Sequence, residues 1–294
     1  MMRLLFTKEG VAIWSSHLDL MRALMRSFRR AGVDLKHSQG FTPHPELSIL
    51  MPLSVGVESQ CEIAEFTLAE GCAISPEEIV TRLNPVLPAG IRALDCWEGG
   101  QKAGKLAWLR ARLTLTYDAA ADAAAGSGIR DQGSEDGGNG FLAPLEMTGE
   151  GADSSPFCSA LNDRVEALRA LFARSSLVVE KHSKKGPVEL DIIPMIRELT
   201  VSAVGGSALD APLVPTPNDG ADGENGFLAP LEMTEGEMPD GDSLTLEAVV
   251  AAQNPTLNPL LLVTAIETYL PDCKPDHVQC RRLELYDGDG RVFR

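Results

Sequence analysis

The sequence predicts an α+β fold made of two tandem modules, on three observations. Residues 3–97 run through strand-like and helix-like stretches in the order β-α-β-β-α-β. A second series opens at Leu109, where Leu109, Ala111, Leu113, Leu115 and Tyr117 alternate with Arg110, Arg112, Thr114 and Thr116. Two acidic, Gly-rich segments, at about 118–155 and 207–242, interrupt only that second series. The order β-α-β-β-α-β is the ferredoxin-like arrangement. The chain therefore divides into a first module over residues 1–104 and a second over residues 105–294.

In the first module, residues 3–8 (RLLFTK) form the opening strand and Glu9-Gly10 its turn. Ser16 starts a helix over about 17–31: its hydroxyl caps the first turn, and Asp19, three residues on, meets the positive end of the helix dipole. Leu18, Met21, Leu24, Met25 and Phe28 recur at helical spacing and mark the buried face, and Gly32 ends the helix. Val33 to His37 is expected as the second strand, followed by an irregular loop from Ser38 to Gly56 that Pro43, Pro45 and Pro52 keep out of regular structure. Residues 60–69 alternate as a third strand. Ser75-Pro76-Glu77-Glu78 opens a helix with Pro at its first position, and Gly90 to Trp97 is the last strand.

In the second module, Leu161, Val165, Leu168 and Phe172 mark a helix. Leu177 to His182 and Val188 to Ile193 form a hairpin around Ser183-Lys184-Lys185-Gly186. A strand from Leu244 to Ala252, a helix from Pro259 to Leu270 and a strand from Val278 to Tyr286 follow, which makes this half one hairpin richer than the first. Both acidic segments contain the same ten residues, NGFLAPLEMT, at 139–148 and 225–234. A repeat so short is no solenoid unit. The segments are read as disordered loops carrying a duplicated linear sequence, either a neutral duplication or a partner-binding peptide anchored by Phe-Leu-x-x-Leu.

The two segments carry −7 and −9, which is the whole of the net charge of −16, so the rest of the chain is neutral. An acidic total therefore does not exclude a nucleic-acid partner here. No run of 18 apolar residues predicts a membrane span, and the N-terminal MMRLLF lacks the apolar region of a signal peptide. Six cysteines without C-x-x-C spacing read as free thiols in a reducing cytoplasm.

Two groups of residues are candidates for function. His17 and His44 could act in acid–base chemistry, or bind a metal together with Asp19, although no spacing predicts a metal site. In a β-α-β-β-α-β module the connection after strand one, with Ser16, His17 and Asp19, and the loop between strands two and three, with Ser38, Gly40, Phe41, Pro43, His44 and Pro45, leave the same edge of the sheet and are expected to converge. The second group is cationic. Arg22, Arg26, Arg29 and Arg30 cluster on a different face of the first helix from its apolar stripe, with Lys36 close by, and Lys184 and Lys185 make a second basic turn. Guanidinium groups present a planar fork suited to phosphate, and such a face can equally be a solvated one in which Asp19 pairs Arg22. Phe6 and Phe66 are the sheet aromatics available for stacking on bases.

Phe6-x-Lys8-x-Gly10, Ser16-His17-Leu18-Asp19-Leu20-x-Arg22, Arg29-Arg30-Ala31-Gly32, Ser38-x-Gly40-Phe41-x-Pro43-His44-Pro45 and the stretch Glu58 to Glu62 resemble the radical-SAM-linked family of unknown function. The resemblance covers residues 3–115 and continues through Lys184-Lys185 and Asp191-Ile192-Ile193-Pro194. It implies a domain appended to, or encoded beside, a cobalamin-binding radical SAM protein. The chain lacks a cysteine triplet for a 4Fe–4S cluster, so that cluster, S-adenosylmethionine and cobalamin would belong to the partner and no cofactor to this chain. The expected role is a recognition or docking partner of a radical SAM enzyme that binds RNA and is not catalytic alone. The rivals are an RNA-processing enzyme using His17 or His44, and a protein–protein adaptor.

Overall fold

The computed structural model describes residues 1–117, 156–183, 186–203, 242–253 and 255–294. The acidic segments with both copies of NGFLAPLEMT, and Lys184 and Lys185, lie outside the described residues. The rest is a mixed α+β structure with four helices among the described residues and a mostly antiparallel sheet of eight strands. The strands are β1 (Met2–Lys8), β2 (Leu47–Ile49), β3 (Val57–Phe66), β4 (Ile91–Glu98), β5 (Leu106–Tyr117), β8 (Ile196–Ala203), β9 (Asp242–Ala251) and β10 (His277–Asp287). They follow the order β4-β1-β3-β10-β5-β9-β8, with β2 on β3. A separate hairpin joins β6 (Val178–Ser183) to β7 (Gly186–Asp191). The helices are α1 (His17–Arg30), α2 (Pro76–Leu83), α3 (Pro156–Phe172) and α4 (Leu260–Tyr269).

One apolar layer covers the first half of the sheet. Leu20, Leu24 and Phe28 of α1 and Ile79 and Leu83 of α2 share a core with Leu4, Phe6, Ala64 and Phe66. Leu18, expected on the buried face, is exposed, and Leu20 takes the inner place. The two lie roughly 200° apart around the helix, and the stripe Leu20, Leu24, Ser27, Phe28 sets which of them faces the sheet. The opposite face of β1 is buried too, because the C-terminal residues lie under it. Arg3 bonds Glu65 at 2.7 Å, donates to the carbonyl of Gln101 and stacks on Phe293 at 5.1 Å.

The second strand is not where the sequence places it. Val33 to His37 makes only isolated bridges, Leu35 to Leu68 and His37 to Pro45, and the strand that pairs with β3 is the three-residue β2. Pro43 and Pro45 have no N–H to donate, which ends pairing after one bridge and defers the strand to Leu47. Strand β8 was also not expected. A register shift between Ile196 and Glu198 breaks its alternation, which hides the period-two signal.

The two halves meet along β3. Its edge is shared: residues 64–66 pair with β2, and residues 57–59 pair in parallel with Cys280, Arg281 and Arg282 of β10. Tyr117 pairs Asp242 and Ala203 pairs Leu244, so three of the four described residues that flank the acidic segments stand at one end of the sheet. By the β3–β10 register this is the end at which β1 leads into α1.

Candidate functional site

The β1–α1 connection is a 3-10 turn, Gly10–Trp14, followed by the capped start of α1. Ser16 Oγ accepts from the Asp19 N–H at 3.2 Å and bonds the Asp19 carboxylate at 2.7 Å. Those bonds, with Arg22 beside it, hold the Asp19 carboxyl below its ordinary value. Arg22 Nη1 bonds Asp19 at 3.2 Å, so Arg22 is engaged with its own helix. His17 is half-buried, and its Nδ1 is buried with no hydrogen-bond partner among the described residues. The connection carries exposed apolar side chains: Val11, Trp14 at 71 % and Leu18.

The Ser38–Pro45 loop closes on itself. Ser38 Oγ accepts from the His44 N–H at 3.2 Å and lies 2.9 Å from His44 Nδ1, and the Ser38 N–H donates to the His44 carbonyl at 2.9 Å. Gly40 takes φ +149°, and Phe41 at its tip is wholly exposed. His44 is thus a brace for the loop.

The expected convergence of this loop with Ser16, His17 and Asp19 does not occur. The loop precedes β2 rather than following it, so it stands where β2 begins beside Phe66, whereas His17 follows Lys8, which pairs Ser59 at the far end of β3. The segment that does meet the β1–α1 connection is 50–56, through the Gly56 N–H to the Ile13 carbonyl at 2.9 Å. Among the described residues no group of three His, Cys, Asp or Glu side chains is placed to hold a metal ion.

The arginine face is brought together in part. Arg26, Arg29 and Arg30 line an open concavity of about 420 Å³ with Ala23 and Pro88. Arg30 Nη2 donates to the Val86 carbonyl at 2.8 Å and ties the last turn of α1 to the α2–β4 connection. Arg26 and Arg29 are exposed, and their guanidinium groups make no bond or ion pair among the described residues. Lys36 pairs Glu46 at 3.6 Å, half exposed. Phe6 and Phe66 are buried under α1, with Phe28 at 4.8 Å from Phe66, so neither offers a ring to a base.

A buried charge cluster went unrecognised as a site in the sequence. Lys8, Glu62 and Arg282 are each less than a tenth exposed. Arg282 Nη1 donates to Glu62 Oε1 and to the Met51 carbonyl, both at 2.9 Å. Lys8 Nζ donates to the carbonyls of Ile13 and Ser15 at 3.2 and 3.1 Å. Burial pulls the Lys8 ammonium below its ordinary value, Glu62 opposing and Arg282 adding to the shift. Alongside, Arg281 Nε donates to Glu58 at 2.7 Å. Lys8 and Glu62 sit inside the sequence motifs, but nothing local to them announces Arg282, 220 residues later.

No helix of the described residues is long and apolar enough to cross a membrane. Comparison with curated proteins found no match. A family described as "Uncharacterized protein conserved in bacteria (DUF2344)" matches residues 1–220, which include β1 to β8, the capped start of α1, the arginine concavity and the Ser38–Pro45 loop. The chain belongs to that bacterial family.

Proposed function

We propose that this chain is a recognition subunit that holds RNA for a radical SAM partner enzyme and performs no chemistry alone. The observation that carries the reading is the concavity of Arg26, Arg29 and Arg30, in which two guanidinium groups have no acidic partner among the described residues. Cations that served only to decorate a helix would be expected to pair with acids one turn away, as Arg22 does. Arginine forks without partners are suited to phosphate oxygens. With Phe6 and Phe66 buried, contact would be to the backbone, and sequence choice would rest with the partner.

The radical SAM link rests on the motif resemblance. The exposed Val11, Trp14 and Leu18 on the β1–α1 connection supply an apolar surface of the kind a protein partner covers. The same proposal reads the sheet as two ferredoxin-like modules, 1–104 and 105–294. Each half sets its first and third strands side by side in the orders β4-β1-β3-β2 and β10-β5-β9-β8. A reading in which His17 and His44 form one acid–base pair has no support, since they stand at opposite ends of the first half.

The test is recovery of RNA with the protein from cells that contain its radical SAM partner, followed by sequencing. Discrete RNAs retained intact, with the partner in the same complex, are expected. Cleaved RNAs would support a processing enzyme instead. Partner protein without RNA would leave an adaptor.

A further inference from the structure

Lys8, Glu62 and Arg282 place two buried cations against one buried carboxylate. The neighbouring Glu58 and Arg281 pair with each other and cancel. Neutral carbonyls satisfy Lys8, so among the described residues the cluster keeps one positive charge with no counter-ion. Buried charges are expected to be paired, and an excess cation leaves a place for an anion from elsewhere. The geometry shows where it would enter. Arg282 uses Nη1 for Glu62 and Met51, while its Nε and Nη2 make no bond among the described residues. Arg282 borders a cavity of about 160 Å³ on the seam between β3 and β10.

The walls of that cavity are mainly apolar, with Thr256 and Asn258 as polar members beside Arg282. Leu53, Val57, Leu109 and Leu257 line it, and Cys280 is a wall rather than a nucleophile, since burial pushes its thiol up to about 12. Ser54, exposed on the 50–56 segment, also lines it and stands at its mouth. An apolar cavity of roughly 150 Å³ holds a benzene-sized molecule. We propose that the seam cavity binds a small monoanion with an apolar body, a carboxylate about the size of benzoate. Its carboxylate lies on the free edge of Arg282 and its body lies among Leu53, Leu109 and Leu257. Ligand sites favour such junctions between halves of a chain, and the occupant would tie β3 to β10 through the residue that already bridges them. This site is separate from the arginine concavity and stands or falls independently of RNA binding.

The test uses the full chain and ¹⁹F NMR with 4-fluorobenzoate and 4-fluorobenzyl alcohol, which share a body and differ in charge. The acid is expected to bind saturably, at least about tenfold tighter than the alcohol, the difference a charge-assisted bond supplies. Ser54→Trp, at an exposed loop position that leaves the core intact, is expected to block the mouth and weaken the acid at least about tenfold. Arg282→Met is expected to erase the preference for acid over alcohol. Should Arg282→Met fail to fold, Ser54→Trp decides. Equal binding of acid and alcohol, undiminished binding by a folded Ser54→Trp protein, or no binding of the acid would overturn the proposal.

Discussion

Lys8 shows how a single residue at the junction reads out its surroundings. Its ammonium is held below the ordinary 10.5, chiefly by burial. In the window between the lowered value and 10.5 the unfolded chain binds the extra proton, so stability rises with pH there; below the window Lys8 is charged in both states and the cost is constant. Urea melts from about pH 8 to about pH 10.5 are therefore expected to show native stability gaining on that of Lys8→Met as pH rises. Parallel profiles would mean that Lys8 keeps its ordinary affinity for protons in the fold. Local chemistry of this sort was only partly legible in the sequence. Ser16 and Asp19 announce the start of α1 because a cap is a contact three residues long. The partner of Glu62 is 220 residues away, and no pattern near either residue points to it.

At the scale of elements, helices are legible in the sequence and a three-residue strand is not, for a physical reason. Helix α1 carries its signal in fourteen residues with a cap at one end and a glycine after the other. Strand β2 has three residues, too few to show a period, and the apolar Val33 and Leu35 imitate a strand while making one bridge. That one displacement moves the Ser38–Pro45 loop to the other end of the sheet and separates His44 from His17. Beside the 50–56 segment, Gly90 also meets the β1–α1 end, where its carbonyl accepts from the Glu9 N–H at 2.8 Å. Gly90 has φ +82°, and a Cβ there would stand 2.2 Å from the Glu9 carbonyl oxygen. Gly71 has nearly the same φ, +83°, with open space around it. Gly71→Ala is expected to cost about 1 kcal/mol of backbone strain, and Gly90→Ala at least about 1 kcal/mol more, because backbone must move as well. Equal urea midpoints for the two variants would show that the β1–α1 connection yields freely.

At the scale of the molecule, the parallel pairing of β3 with β10 was not legible, since each strand reads as a member of its own half. It makes β3 interior rather than an edge, and the C-terminal Phe293 closes the far face of β1. Phe293→Ala is expected to destabilise the first half as well as the second, by about 3–5 kcal/mol in a single unfolding transition. A loss below about 1 kcal/mol, or two separate transitions, would show that the halves are independent. On α1 Arg26 and Arg29 are exposed, and they are the arginines proposed to meet phosphate. Single-stranded RNA affinity should fall with salt at a logarithmic slope of about −0.7 per phosphate neutralised. The decisive measurement is that slope for the native protein and for Arg26→Gln/Arg29→Gln, with circular dichroism to verify the fold. The slope is expected to become shallower by roughly 1.4 in the folded variant; a slope that does not change would contradict the claim and leave the arginines as a solvated face.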